Sequence, residues 1–309
     1  PFITMYNIIS SIFRGMGDSK SPMYFIAIAC AANIVLDYVF IGGLHLGPAG
    51  EALGTTCAQA VSVVISLFMI MRQRKELALS RKDFRLSHNI MGQILKIGIP
   101  IALQDGFIQV AFMIITIIAN QRGLNDAAAV GIVEKIISFL FLIPSSMLST
   151  VSALGAQNIG AGKRQRANET LRYAVLITVG FGIVVGIFMQ FFASPVVALF
   201  TDASDAQGAE VVRLGGQYLR GYVWDCMFAG IHFSFSGYFC ACGKSGISFL
   251  HNIIAITLVR IPGVYLASTL FPDTLFPMGL ATAAGSLLSA IICVVAFTIL
   301  NRKGKMKKD

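Results

Sequence analysis

The chain has 309 residues, of which 56% are hydrophobic and only 13% are charged. Soluble domains carry about a quarter charged residues, so this composition argues against a soluble protein and predicts one that is surrounded by lipid. The formal net charge of +9 would also suit a nucleic-acid partner, but the positions of the basic residues are explained by membrane topology, and we expect no nucleic-acid binding.

The first 20 residues, PFITMYNIISSIFRGMGDSK, have the pattern of a helix that is already under way. They lack the charged start, short apolar core and cleavage site of a signal peptide. We therefore expect the chain to be a fragment whose beginning is missing.

Eight later segments are apolar and long enough to cross a bilayer as a helix, which takes about 20 residues. Residues 1–15 supply the end of a ninth span, and the longest polar link, 72–89, has the charge and the Leu and Phe spacing of an amphipathic surface helix. The sequence therefore predicts an all-α, polytopic membrane protein. The eight predicted spans are 22–43, 50–72, 92–120, 126–150, 170–200, 217–241, 247–270 and 276–300.

Lysine and arginine are concentrated in alternate loops between the predicted spans. The loops at 42–50 and 271–277 contain neither residue, and 121–126 contains only Arg122. Because basic loops remain in the cytoplasm, the alternation predicts a multi-pass protein of the inner (plasma) membrane with a cytoplasmic C-terminus. The basic loops contain Arg14, Lys20, Arg72, Arg74, Lys75, Arg81, Lys82, Arg85, Lys163, Arg164, Arg166, Arg172 and Lys244.

Two sequence matches at nearly constant separation indicate an internal repeat. SIFRGMGDSKSPMYF at 11–25 resembles GYFCACGKSGISFLH at 237–251, an offset of 226 residues. GEALGTT at 50–56 resembles GLATAAG at 279–285, an offset of 229 residues. Two homologous halves, with the substrate path between them, are a common build of secondary transporters.

Short motifs that cover essentially the whole chain are specific when taken together: FRGMGDSKSPM (13–23), NIVLDYVFI (33–41), GPAGEALGTT (47–56), GIPIALQ (98–104), LGAQNIGAGKRQRA (154–167) and the later ACGKSG turn. They resemble motifs of the multidrug and toxic compound extrusion (MATE) family, more its DinF-like bacterial branch than its NorM-like branch. The resemblance implies a helical bundle of two pseudo-symmetric six-helix lobes, with about eight complete membrane helices of a presumed twelve in this chain. We accordingly expect a remnant of the first lobe at 1–72, a cytoplasmic linker at 73–90, a six-helix lobe at 91–301 and a basic tail at 302–309.

The foremost candidate for a functional group is Asp37, about two-thirds along its predicted span. Asn33 comes four residues earlier, so the two side chains lie on one helix face. A carboxylate there costs about 2.5–3.5 kcal/mol unless it is neutralised or solvated. A bound proton would neutralise it, and so would a sodium ion held by oxygens of Asp37, Asn33 and Thr55. The resemblance supports these three residues, since DinF-like members have an Asn, an Asp and a Thr at the matching positions. An Asp37 at the outer interface that only hydrogen-bonds loop backbone is the alternative.

Five more polar residues inside spans are candidates for substrate binding or a lobe interface. Gln109 lies near the position where the NorM-like branch has a Glu, and the missing acid argues against a cation site of that kind. Asp225 is either a transport residue or an interfacial acid one turn from Arg220, and Arg260 in mid-span needs a partner or water. The five candidates are Gln104, Asp105, Gln109, Asp225 and Arg260.

The leading functional hypothesis is a secondary antiporter that exports organic, often cationic, compounds by alternating access. Its coupling to inward protons or sodium ions is what the resemblance implies. A lipid-linked sugar flippase of the same superfamily is the first alternative, and an intramembrane enzyme and a channel are others.

The sequence shows no nucleophile–base pair and no catalytic motif, and its six cysteines lack metal-ligand spacing. We therefore expect no enzyme activity, no metal site and no cofactor other than the coupling ion. The expected partners are membrane lipid and small organic molecules, and the full-length protein is expected to be a monomer.

Overall fold

The computed structural model describes residues 1–72, 87–201 and 205–302, and every regular element in those ranges is a helix. The all-α, polytopic class predicted from the sequence is thereby confirmed. The predicted surface helix at 72–89 and the predicted tail at 302–309 fall mostly outside the described residues. The chain divides into two compact units, Pro1–His88 (unit 1) and Asn89–Asp309 (unit 2).

Unit 1 is built from α1, α2 and α3. Its helices pack through aromatic side chains: Phe13 and Phe25 meet edge to face with ring centroids 5.6 Å apart, and the Tyr6 hydroxyl donates to the carbonyl oxygen of Pro22 at 3.3 Å. The first of these contacts joins α1 to α2 in the small core of the unit. The helices are α1 Phe2–Gly15, α2 Lys20–Asp37 with a π-helical continuation Tyr38–Gly43, and α3 Pro48–Arg72.

Unit 2 contains the longer helices and the larger core, which is centred on buried tyrosines and small aliphatic residues. Its helices are α4 His88–Arg122, α5 Leu124–Leu140, α6 Leu142–Gly160, α7 Arg164–Ala198, α8 Ala206–Tyr222, α9 Asp225–Ala241, α10 Ser245–Ala255, a π-helical turn Ile256–Arg260 that leads into α11 Ile261–Leu270, and α12 Phe276–Arg302.

Within the described ranges, six helices are long and apolar enough to cross a membrane, or seven if the bent pair α5–α6 is one span. The sequence predicted eight. One predicted span, 126–150, is bent by 40° at the α5–α6 break, and another, 217–241, is divided between α8 and α9. Hydropathy gives no sign of such breaks, because the residues around them are as apolar as those of a straight helix. Broken helices are tolerated in a membrane where protein covers the freed backbone groups. The six spans are Lys20–Gly43, Pro48–Ile70, His88–Arg122, Arg164–Ala198, Ser245–Leu270 and Phe276–Arg302.

The two turns matched in the sequence, at the ends of α1 and α9, have the same backbone conformation. Gly17 and Gly243 both have positive φ, 91° and 69°, a conformation that glycine adopts without strain. In each turn the glycine N–H donates to the carbonyl three residues back, and the following N–H donates to the carbonyl five residues before it. The end of α6 at Gly162 is closed in the same way, so this closure is a common helix ending and agrees with the repeat without being specific to it.

Helices α8 and α12 approach each other backbone to backbone. A Cβ atom at Gly221 would lie 2.5 Å from the carbonyl oxygen of Phe276, and one at Gly279 would overlap the carbonyl oxygen of Tyr218. Helix association in a membrane depends on van der Waals packing rather than on the hydrophobic effect, so small residues occur at such contacts. The two glycines therefore fix α8 against α12.

We expect Gly279→Ala to lower the free energy of unfolding of the full-length protein by about 1–3 kcal/mol, because the added methyl group must push two backbones apart. Thermal unfolding in detergent measures the effect. Gly180→Ala is the matched control, since a Cβ atom there meets nothing within 4 Å. Equal unfolding temperatures for the two variants would contradict the close contact.

Arg122 joins the α4–α5 corner to the segment that follows α11. Its Nε donates to Asp126 at 2.9 Å, its Nη1 to the carbonyl oxygen of Ser268 at 2.9 Å, and its Nη2 to that of Pro272 at 2.6 Å. The Arg122 side chain is only 8% exposed. These contacts explain why a basic residue lies in a loop that the charge pattern assigns to the outer side.

Replacing Arg122 by Met should lower the free energy of unfolding by about 3 kcal/mol, because several carbonyl groups and Asp126 lose a charged donor. Arg213→Met is the control: Arg213 pairs with Glu210 on the surface, and exposed pairs contribute about 0–1 kcal/mol. Denaturation of both variants in the same detergent decides the matter, and an Arg122→Met protein as stable as the control would refute the structural role.

Candidate functional site

Asp37 lies at the point where α2 changes into a π-helical turn. Such turns within helices are frequent at functional sites. The Nδ2 of Asn33 donates a hydrogen bond to Asp37 Oδ1 at 3.3 Å, and both side chains are half-buried. The four-residue spacing in the sequence therefore corresponds to a polar pair on one face of a membrane-spanning helix.

Thr55, the third residue of the predicted cation site, is on α3 and its side chain is exposed. The preceding residue, Gly54, is the one that faces Asp37, and consecutive helical residues point about 100° apart. Among the described contacts of unit 1, none joins Thr55 to Asp37 or Asn33. The structure thus brings together two of the three predicted residues.

The first motif of the sequence forms the turn between α1 and α2. Asp18 accepts hydrogen bonds from the backbone N–H groups of Lys20 at 3.0 Å and Ser21 at 3.1 Å, and from the Ser21 hydroxyl. These bonds, that of the hydroxyl foremost, lower the pKa of Asp18 from its usual value. A carboxylate at the start of α2 also suits the positive end of the helix dipole, so this motif has a structural role.

Unit 2 contains a buried ion pair between Asp225 at the start of α9 and Arg260 at the end of the π-helical turn. The Arg260 Nη2 lies 3.3 Å from Asp225 Oδ2 and 3.1 Å from the hydroxyl of Tyr222. Asp225 is 0% and Arg260 7% exposed, and the guanidinium lies 5.2 Å from the ring centroid of Phe112. Asp225 is therefore not an interfacial acid beside Arg220, and Arg260 has the partner that its mid-span position requires.

The three polar candidates on α4 do not form one group. Gln104 is fully buried, and neither atom of its amide has a hydrogen-bond partner among the described residues. Asp105 and Gln109 are exposed. Gln109 lines a cavity with Glu134 and Phe112, whereas Gln104 is buried and Asp105 is exposed, so the three side chains do not meet.

The cavity beside Gln109 has a volume of about 380 Å³ and contains a carboxylate that the sequence candidates did not include. Glu134 of α5 lies in its wall and accepts a hydrogen bond from the Thr116 hydroxyl at 3.4 Å. Two aromatic rings, Phe112 and Phe141, and the polar Ser138 complete this part of the wall. The four-residue spacing of Glu134 and Ser138 places both on one face of α5, which the sequence could have shown. Gln109 and Phe112 come from α4, and local sequence does not show that they face Glu134.

Apolar spans with charged side chains inside some of the helices define a polytopic helical membrane protein. The family model described as MatE matches residues 100–266. This is more than half of the chain, and the chain belongs to the MatE family. The resemblance to the MATE family is thereby confirmed.

Two relatives illustrate the similarity in sequence. YpnP of Bacillus subtilis, a probable multidrug resistance protein, is 28% identical over 267 residues, which cover 86% of this chain and 58% of YpnP. The multidrug export protein MepA of Staphylococcus haemolyticus is 25% identical over 313 residues, which cover 100% of this chain and 66% of MepA. The chain thus spans less than two-thirds of the length of these relatives.

Solved structures agree in fold. A MATE structure in complex with MaL6 has a TM-score of 0.91 at 21% identity, covering 100% of this chain and 68% of that one. A mutant of the Vibrio cholerae MATE transporter VcmN has a TM-score of 0.88 at 18% identity, covering 98% of this chain and 67% of that one. The helices of this chain therefore follow the path of the MATE fold.

A double-mutant cycle tests the buried pair. Asp225→Asn or Arg260→Gln alone should lower the free energy of unfolding by about 3–5 kcal/mol, because each leaves one buried charge without its partner. The double variant leaves no charge behind and should be more stable than the sum of the single changes allows. The same cycle at the exposed pair Glu210–Arg213 is the control, with a coupling energy of about 0–1 kcal/mol. Additive single effects at Asp225 and Arg260 would exclude an ion pair.

Proposed function

We propose that the full-length protein exports small organic, often cationic, compounds across the plasma membrane in exchange for protons that enter through Asp37. The observation that carries this proposal is the Asp37 carboxylate inside the span Lys20–Gly43, with the neutral amide of Asn33 at 3.3 Å. The family, and the printed names of the relatives as multidrug resistance and export proteins, support the direction and the kind of substrate.

The Asn33–Asp37 pair accommodates a proton without rearrangement. Asn33 turns its NH₂ group toward Asp37 Oδ1, whereas a sodium ion would need the amide rotated so that its oxygen becomes a ligand. The Thr55 hydroxyl, the other oxygen expected for a sodium site, starts from a different side of α3. A proton on the carboxylate needs no further ligand, so it fits the pair as it stands.

Exchange follows if proton and substrate favour different arrangements of the transporter. A protonated, neutral Asp37 is tolerated by an apolar surrounding, whereas the ionised form favours an arrangement that exposes it to water or to a cation. An inward charge supplies about 2.3 kcal/mol per 100 mV of membrane potential. By the tenfold-per-1.4-kcal/mol rule, this drives about a fiftyfold concentration of a neutral substrate. A monovalent cation exchanged for one proton moves no net charge, so the pH gradient would drive its export.

The cavity at Glu134 suits a substrate that is both aromatic and positively charged. A carboxylate attracts the charge, and the faces of Phe112 and Phe141 suit a flat ring or an alkylammonium group. The Arg260 guanidinium, which lies 5.2 Å from the ring centroid of Phe112, is engaged by Asp225 and Tyr222. The cavity therefore presents an acid, which favours organic cations over the anionic headgroup that a lipid-linked sugar flippase would bind.

The remaining expectations concern the surroundings of the protein. We propose a cytoplasmic C-terminus, because Arg14, Lys163 and Lys244 lie in alternate turns and basic turns remain in the cytoplasm. Membrane lipid and organic substrates are the proposed partners, and the proposed working form is a monomer of the full-length protein.

Asp37→Asn in the full-length protein should reduce proton-driven export of a cationic dye to background, because the amide cannot take up and release the coupling proton. Transport in inverted vesicles measures this, first with a proton gradient and then with a sodium gradient. Glu210→Gln, a change of an exposed acid in a surface pair, is the control and should export normally. If the Asp37→Asn variant exports dye as fast as the unmodified protein, Asp37 is not the coupling residue. If the unmodified protein exports dye with a sodium gradient but not with a proton gradient, the coupling ion is not a proton.

A further inference from the structure

Residues 50–54, GEALG, form a G-x-x-x-G pattern near the start of α3, with both glycines on one helix face. A Cβ atom at Gly50 would lie 3.1 Å from the carbonyl carbon and oxygen of Phe40 and 3.2 Å from the Cβ of Leu46. Because Gly50 has no side chain, the backbone of the π-helical continuation of α2 can pack directly against it.

The second glycine, Gly54, is buried and meets side chains instead of backbone. A Cβ atom there would overlap Asp37 Oδ1 and would lie 3.4 Å from Asp37 Cγ and 3.6 Å from Asn33 Nδ2. All three nearest atoms thus belong to the polar pair of α2. The face of α3 at Gly54 is the surface against which the Asp37 carboxylate lies.

We infer that Gly54 is a positioning residue for Asp37: because it has no side chain, the carboxylate lies against α3 with Oδ1 on the Asn33 amide, and this position sets how readily the coupling proton binds. The inference rests on the proposed function, since it assigns a role in proton binding. It adds a residue that neither contacts the proton nor carries a functional group.

The geometry separates this role from ordinary helix packing. The atom that an alanine at 54 would displace is the far end of an Asp side chain, which can rotate without moving a helix. It is also the oxygen that accepts the hydrogen bond from Asn33. A hydrogen bond to the charged form of an acid favours that form, so losing it favours the protonated carboxyl group. The change therefore alters proton loading more than folding.

Other titratable side chains near this end of unit 1 do not hydrogen-bond Asp37 among the described contacts. Glu51 and Cys57 on α3, Tyr38 on the π-helical turn and His45 in the following loop are exposed. Helix α1 contributes Tyr6, which bonds to Pro22 at the opposite end of α2, and Arg14, which bonds to Ser11.

Unit 2 also has a glycine beside its charged residue, but the contact is of another kind and the glycine is not the repeat equivalent of Gly54. A Cβ atom at Gly285 of α12 would lie 2.7 Å from the Cβ of Arg260. In both units a charged residue beside a π-helical turn therefore packs on a glycine of a neighbouring helix. At Gly285 the neighbouring atom is close to the backbone, so the glycine serves packing, whereas at Gly54 it is the carboxylate itself.

The test measures proton-driven dye export by the full-length protein in vesicles as a function of pH, together with thermal unfolding. Gly54→Ala should keep most of the maximal rate and raise the pH of half-maximal export by about half a unit or more. Its unfolding temperature should equal that of Gly106→Ala, the matched control, where a Cβ atom meets nothing within 4 Å. Asn33→Ala should shift the profile in the same direction, and the double variant should shift it no further, because both changes remove one hydrogen bond.

A Gly54→Ala profile that coincides with that of the Gly106→Ala control overturns the inference, and so do additive shifts in the double variant. A lowered unfolding temperature with an unshifted profile makes Gly54 a packing residue and also overturns it. Asp37→Asn separates the two proposals. If that variant keeps proton-driven export, the proposed function fails; if it loses export while Gly54→Ala is unshifted, the function stands and only the role of Gly54 is refuted.

Discussion

The exclusion of unpaired charge from hydrocarbon is the constraint on which both units depend. A charge at the middle of a spanning helix costs about 2.5–3.5 kcal/mol or more, so each charged side chain requires a partner, water or a ligand. Asp225 meets this requirement internally, with Arg260 at 3.3 Å. The described hydrogen bond to Asp37 comes from the neutral amide of Asn33. The charges of Asp225 and Arg260 are therefore paired with each other, whereas the described hydrogen-bond partner of Asp37 is neutral.

Both charged sites lie beside a π-helical turn, and this follows from the same constraint. A π-helical turn interrupts the regular backbone ladder and changes the direction of the side chains around it. Asp37 directly precedes such a turn and Arg260 is the last residue of one. Two glycines, Gly54 on α3 and Gly285 on α12, then allow these side chains to lie close to a neighbouring helix. Local helix geometry and small residues together hold a polar group inside an apolar bundle.

The sequence predicted contacts between residues close together in one helix, and it did not predict contacts between residues far apart in the chain. The pairing of Asn33 with Asp37 was predictable, because helical periodicity places residues four apart on one face. The partner of Asp225 was not, since Arg260 is 35 residues away and only the packing of α9 and the π-helical turn joins them. The cavity at Glu134 likewise combines α4 with α5. Hydropathy did not show the helix breaks inside two predicted spans, because an apolar residue suits a straight and a bent helix equally. At the α5–α6 break the local signal is Pro144, in the first turn of α6.

The two units carry charges of opposite sign at nearby, but not equivalent, places in the repeat. Adding the 226-residue offset to Asp37 leads to Gly263, three residues after Arg260, so the base of unit 2 lies near the position that corresponds to the acid of unit 1. The base has a fixed partner and does not titrate in the physiological range. In unit 2, Glu134 lines a cavity together with the aromatic rings of Phe112 and Phe141. Divergence of the two repeats therefore divides the proposed work: the acid of unit 1 is suited to a proton, and that of unit 2 to the charge of an organic substrate.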